Sequence, residues 1–191
     1  MSKLSIFQSD SSDRYESSIF ETVNGEEIAE RLSAKGVRFE RWPLKTLADS
    51  DSAEEVLSVY EKEVRELQSE SGFVCADVVR LTPDHPDREA FRTKFLSEHQ
   101  HVEDEVRFFV EGSGLFYLHL DEEVWVILCE QGDLISVPDG VKHWFDMGPK
   151  PLFTCIRLFS NPEGWVAEFT GDDIAARTPA WESLMKEGVH S

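Results

Sequence analysis

His99, His101, Glu105 and His143 are the residues with the strongest claim to chemistry. The stretch HQHVEDEVRFFVEG sets two histidines two apart, with a carboxylate four residues further on, in a chain holding six histidines. On an extended strand side chains alternate between faces, so His99 and His101 share a side, and Glu105, Arg107 and Phe109 keep that parity if the extension continues. One face then gathers two imidazoles, a carboxylate and a guanidinium. Buried ionised groups are costly unless paired, and a divalent cation supplies the compensation. For an isolated HxH pair the competing reading is a solvated edge with two surface histidines.

A second patch, GDLISVPDGVKH, places Gly132, Pro138, Gly140 and His143 at offsets 0, 6, 8 and 11. Glycine, proline and histidine are each scarce enough that this spacing seldom arises by accident. Together with His99, His101, Glu105 and Gly112 it resembles the paired motifs of the cupin superfamily, whose first motif runs HxH, three or four residues, Glu, six residues, Gly. Two positions depart from the pattern: Thr93 stands where the first motif often opens on glycine, and Met147 where a polar residue often follows the second-motif histidine. Neither removes a candidate ligand. The superfamily implies a mainly β fold, a jelly-roll-like antiparallel barrel, and leaves the reaction open.

A narrower resemblance covers about residues 25 to 165. EHQHVEDEVRFFVEGSGLFYL, WVILCEQGDLISVPDGVKHWFDMG, FTCIRLF and, nearer the start, GVRFERW are similar to the bacterial acireductone dioxygenases of methionine salvage. That resemblance implies that His99, His101, Glu105 and His143 ligate one Fe(II) or Ni(II) per chain. It implies O2 and the enediol 1,2-dihydroxy-3-keto-5-methylthiopentene as substrates. The products would be formate and 2-keto-4-methylthiobutyrate with iron, or formate, carbon monoxide and 3-methylthiopropionate with nickel. Arg107 and Arg157 match arginines of the family, implying catalytic stabilisation of the substrate dianion. Read from its own strand, FTCIRLF, Arg157 shares a face with Phe153, Cys155 and Phe159 and needs an anionic partner, which is either substrate or one of 38 carboxylates. Phe95, Phe145 and Trp165 are candidates for a pocket around the methylthio tail, with core packing as their alternative role. His119 has the parity of Tyr117 and reads as a structural, hydrogen-bonded histidine, while His85 and His190 read as surface residues.

These residues need a scaffold. From about Val74 the chain becomes short runs of β-branched and aromatic residues separated by EGSG, DEE, EQGD and MGPKP, a spacing that predicts antiparallel hairpins. The expected organisation is a single domain: a mixed helical attachment over residues 1–72 with helices packed outside, a barrel over 73–165, and a tail over 166–191. In the attachment, NGEEIAERLSAKG offers Asn24 and Glu27 as a capping box with Ile28 and Leu32 on one face. SDSAEEVLSVYEKEVRELQSESG carries Val56, Tyr60, Val64 and Leu67 on one stripe, and HPDREAFRTKFLSEH is a third helix.

Composition narrows the function classes. A formal net charge of −19 repels phosphate backbones and anionic membrane surfaces, so neither nucleic acid nor membrane is an expected partner. No apolar run approaches the roughly 20 residues of a membrane span and no apolar signal core opens the chain, which predicts a cytoplasmic protein. Cys75, Cys129 and Cys155 read as reduced thiols, and a monomer is the default expectation. Two rivals stand beside the dioxygenase reading: a non-catalytic cupin that binds a small molecule, and a cupin dioxygenase for another substrate. The complete ligand set with two interior arginine candidates favours the enzyme.

Overall fold

A computed structural model of the chain describes residues 1–10, 17–48, 50–161 and 166–185. In chain order it contains β1 (Lys3–Gln8), β2 (Phe20–Thr22), α1 (Gly25–Ala34), β3 (Arg38–Arg41), α2 (Ala53–Val59), α3 (Glu61–Ser71), β4 (Cys75–Leu81) and α4 (Arg88–Phe95). There follow β5 (His99–Gln100), β6 (Glu105–Leu120), β7 (Glu123–Glu130), β8 (Asp133–Val137), β9 (Lys142–Asp146), β10 (Phe153–Phe159), β11 (Glu168–Phe169), α5 (Ile174–Arg177) and α6 (Trp181–Leu184). Every strand pairing is antiparallel. One sheet runs β2-β1-β7-β6-β9-β5-β11, and the other runs β3-β8-β6-β10-β4.

The two sheets share β6, which corrects the expected turn at EGSG. Its first half pairs with β8 and β10 and its second half with β7 and β9, so the strand leaves one sheet and enters the other without a hairpin. The corner is built by a register shift against Thr154 and Cys155, where Glu111 and Phe109 find partners and Val110 is passed over. This is a bulge, and it bends the strand. Interior side chains accordingly change from odd to even numbers: Phe109 precedes the corner in the barrel core, and Phe116 and Leu118 follow it there, whereas Tyr117 packs on the outer face. Gly112 sits at φ +69, and a Cβ on it would lie 1.8 Å from the Leu152 carbonyl oxygen. Gly112→Ala is therefore expected to cost about 3 kcal/mol, the upper range for one substitution. In a chain of this size that lowers the thermal midpoint by ~6–12 °C, measurable by circular dichroism; an unchanged midpoint would refute the corner.

Three apolar clusters follow from the alternation. Phe109, Phe116, Phe145, Phe153, Cys129 and Cys155 fill the barrel. Val106, Phe108, Ile156 and Leu158, one residue out of phase with Arg107 and Arg157, face Val56, Tyr60 and Leu67 of the helices packed outside. Tyr117, Trp144 and Val126 are covered by Ile174, with Trp181 and Leu184 against them. The buried thiols of Cys129 and Cys155 are pushed up by burial, which makes them inert apolar filling.

β1 pairs with β7 along six residues and β3 with β8 along four, so the first 41 residues contribute strands to both sheets. Asn24 caps α1 by accepting from the Glu26 and Glu27 amides, and Ile28 and Leu32 are fully buried. The long helix expected from Ala53 is two, broken at Tyr60, whose backbone (φ −99, ψ 16) leaves the helical region while its ring stays buried against Phe108. The Ser52–Glu55 pair forms the full capping box.

Candidate metal centre

β5 and β9 meet at one residue pair, His99 opposite His143. Glu105 opens β6, and His101 lies in the short loop between β5 and β6. That loop is tied to the Pro138–Gly140 corner: the Gly140 amide donates to the His101 carbonyl at 2.8 Å and the Asp139 amide to Asp104 Oδ1 at 3.0 Å. Gly140, at φ +71, supplies the left-handed residue that lets this corner form. The two sequence motifs are thus locked together by one backbone–backbone and one backbone–side-chain hydrogen bond. One ligand atom from each of His99, His101, Glu105 and His143 lies within 4.8 Å of every other.

Donor chemistry tests whether a cation fits. Each imidazole has Nδ1 against a backbone carbonyl: His99 with Ser97 at 2.8 Å, His101 with Val166 at 3.1 Å, and His143 with Val141 at 2.7 Å. A carbonyl only accepts, so each Nδ1 carries the proton and each Nε2 is left with its lone pair, the state a metal requires. Yet Glu105 Oε2 lies 3.0 Å from His101 Nε2 and 3.3 Å from His143 Nε2. Lone pairs held this close need a positive charge between them, and a divalent ion meets that need for both histidines at once. The electrostatics show the same demand for positive charge beside Glu105. Burial, with His143 beside it, lowers His99 to about 4. Burial also pulls His101 down, but the Glu105 carboxylate outweighs it and the net shift is upward. For Glu105 itself burial is opposed by Arg107 and the two imidazoles, which together hold the carboxyl well below its ordinary range.

The four residues line a cavity of about 150 Å³ with Phe95, Phe145, Arg107 and Arg157. This is below the roughly 300 Å³ at which drug-sized ligands are accommodated, so it suits a small substrate. A cavity of about 530 Å³ near Met1, Leu128 and Met185 is larger, but no metal-ligating cluster among the described residues lies there, and chemistry rather than size decides the site. Arg107 is buried, donates from Nε to Glu105 Oε1 at 2.7 Å, and sits 5.0 Å from the Phe145 ring centre. Across the ladder it faces Arg157 directly. Opposed like charges are unfavourable, and each is offset: Arg107 by Glu105, Arg157 by a two-point ion pair to Asp77 at 2.8 and 2.6 Å. Arg157 therefore reaches the cavity while already held by a carboxylate. Phe95 and Phe145 meet edge to face. Trp165 and His190 lie outside the described residues. His119 hydrogen-bonds Glu98 at 2.7 Å, and the change of parity in β6 turns it away from the metal cluster.

A model of the ARD/ARD' family matches residues 5–167. The chain belongs to that family. Acireductone dioxygenase of Hahella chejuensis is 58% identical over 166 residues, covering 87% of this chain and 90% of the relative. That of Marinobacter nauticus is 56% identical over 184 residues, covering 96% and 98%. Among solved structures, an acireductone dioxygenase from Bacillus anthracis with a cadmium ion in its active centre superposes with a TM-score of 0.74 at 29% identity, covering 88% of this chain and 98% of that one. The cupin barrel expected from the paired motifs is thus the fold of this ARD/ARD' family member. Sequence reasoning missed Lys94, Ala167 and Phe169, which also line the cavity. Lys94 ends a polar helix and the other two lie some 65 residues from His101, so no local pattern marks them.

Proposed function

We propose that this ARD/ARD' family member is a metal-dependent dioxygenase that cleaves acireductone, with His99, His101, Glu105 and His143 as its metal ligands. The observation that carries the reading is the donor set: three imidazoles with Nδ1 committed to carbonyls, two of them with Nε2 against one carboxylate, gathered beside a buried arginine in a small cavity. Three nitrogens and one oxygen would suit a borderline ion such as Fe(II) or Ni(II), which when bound would hold an enediolate and promote its reaction with dioxygen. The chain's own groups do the rest. Arg107 faces the cavity as fixed positive charge, placed to stabilise the substrate anion as negative charge develops. Arg157 adds to that field more weakly because Asp77 already screens it. Phe95 and Phe145 form an apolar wall against which the methylthio tail packs and from which water is displaced. No described residue is assigned as a base; the enediol binds as its anion.

Of the rival readings, the binder is disfavoured by the intact ligand set, and another substrate by the identity to acireductone dioxygenases along most of the chain. No helix among the described residues is long and apolar enough to cross a membrane. We place the enzyme in the cytoplasm as a monomer with one ion per chain, acting on a small molecule and O2, without nucleic acid or membrane as partners. The test is to strip the metal, reload with Fe(II) or Ni(II) separately, and supply acireductone and oxygen. Formate and 2-keto-4-methylthiobutyrate are expected from the iron form, with carbon monoxide and 3-methylthiopropionate replacing the keto acid in the nickel form. Substrate loss no faster than spontaneous oxidation in both forms would refute the assignment.

A further inference from the structure

Glu98 is a buried carboxylate that the chemistry above leaves unused. It is 1% exposed in a chain of net charge −19, and among the described residues its hydrogen-bond partners are His119 and Thr170. Oε2 accepts from His119 Nδ1 at 2.7 Å, Oε1 accepts from the Thr170 hydroxyl at 2.7 Å, and its backbone carbonyl accepts from the Thr170 amide at 3.1 Å. Burying a carboxylate with no lysine or arginine partner among the described residues is costly, so the arrangement needs a reason.

The reason is what Thr170 terminates. The segment 166–170 runs along the mouth of the metal cluster. Val166 supplies the carbonyl that orients His101, Ala167 and Phe169 line the cavity, and the Phe169 ring centre is 5.8 Å from that of His99. Its own ladder is β11 against β5, two residues long and at the edge of the sheet, with Glu168 and Phe169 both exposed. A ladder that short does not hold itself in water. The anchor at one end is Thr170, itself exposed but clasped by the buried Glu98 through main chain and side chain, with Glu98 in turn held from β6 by His119.

We infer that Glu98 is a positioning residue: by clasping Thr170 it pins residues 166–170 over the metal cluster, keeps the Val166 carbonyl on His101, and so slows the escape of the ion. The inference rests on the proposed ligand set and is independent of which substrate is used. Partners that orient a metal-bound histidine are typically worth about 10–100-fold in metal affinity, and the clasp acts one step behind such a partner.

The test uses full-length protein loaded with Ni(II), with release into excess EDTA followed optically. Thr170→Val removes the clasped hydroxyl without touching a residue adjacent to a ligand, and release is expected to quicken about 10-fold or more, with Thr170→Ser returning it toward the original rate. In protein carrying ¹⁵N-histidine and loaded with diamagnetic Zn(II), the His101 Nδ1–H signal should be resolved in the unaltered chain and lost to exchange in Thr170→Val. A merely structural threonine would move neither readout without also lowering the melting temperature of the metal-free chain. If Thr170→Val fails to fold, His119→Gln loosens the other arm of the clasp and is read the same way. Unchanged release with an intact His101 signal would overturn the inference alone; an unaltered chain that holds no Ni(II) would overturn the ligand set with it.

Discussion

Glu105→Ala will lose its metal and its stability together, whereas His99→Ala will lose the metal alone. Both substitutions remove a proposed ligand, and the metal content of each should fall from about one ion per chain to about none by elemental analysis. The difference lies in Arg107. Its guanidinium is 7% exposed and donates to Glu105 Oε1 at 2.7 Å, so deleting the carboxylate removes a negative charge paired with a buried cation. Breaking a buried pair from one side costs about 3–5 kcal/mol, which for a chain of this length lowers the melting midpoint by about 10 °C. His99 is half-buried, and its loss leaves the Glu105–Arg107 pair intact. Glu105→Gln separates the effects again: it returns an acceptor to Arg107 and with it part of the stability, but not the charge the ion requires. Melting the metal-free proteins side by side checks this. Equal midpoints for Glu105→Ala and His99→Ala would mean that Arg107 finds its compensation elsewhere.

What the sequence disclosed about this site, and what it withheld, follows from the range of each interaction. His99, His101, Glu105 and His143 were legible because two short spacings place them, and the Pro138–Gly140 corner that joins the spacings is marked by residues with restricted or permissive backbones. The alternation in FTCIRLF likewise put Arg157 on one face with Phe153 and Cys155; in the structure that face lines the barrel interior, while Ile156 and Leu158 pack against the outer helices. The corner of β6 was hidden because two glycines between apolar runs signal a hairpin and a bend equally well; only the carbonyl of Leu152, some forty residues on, distinguishes them. β1 was hidden because LSIF is too short a run to announce that it pairs with a strand more than a hundred residues away. The same holds for Glu98 and Thr170. Nothing in SEH or EFTG announces a clasp, since its hydrogen bonds span 72 positions.

Arg107→Ala should retain a full complement of metal and yet fall in kcat/KM by about 10²–10³, the usual loss when one preorganised charge-stabilising donor is removed. Metal is expected to stay because the ion itself supplies the positive charge that Glu105 needs once the guanidinium is gone. In the metal-free protein no such substitute exists, so Arg107→Ala will lower the apo melting temperature and leave the loaded form closer to the unaltered one. Arg107→Lys restores a charge but not the planar fork that serves Glu105 and the cavity together, and should recover only part of the rate. Arg157→Ala is the internal comparison. Its guanidinium is committed to Asp77 at two points and is 27% exposed, so its field at the cavity is partly cancelled and partly screened, and the loss should be smaller than for Arg107. Asp77 is itself about half exposed and can be left to water at little cost. If Arg107→Ala loses metal in step with activity, the arginine acts by holding Glu105 in place. If metal and turnover both survive, the anion is stabilised by other groups, and Lys94 at the cavity wall becomes the residue to change.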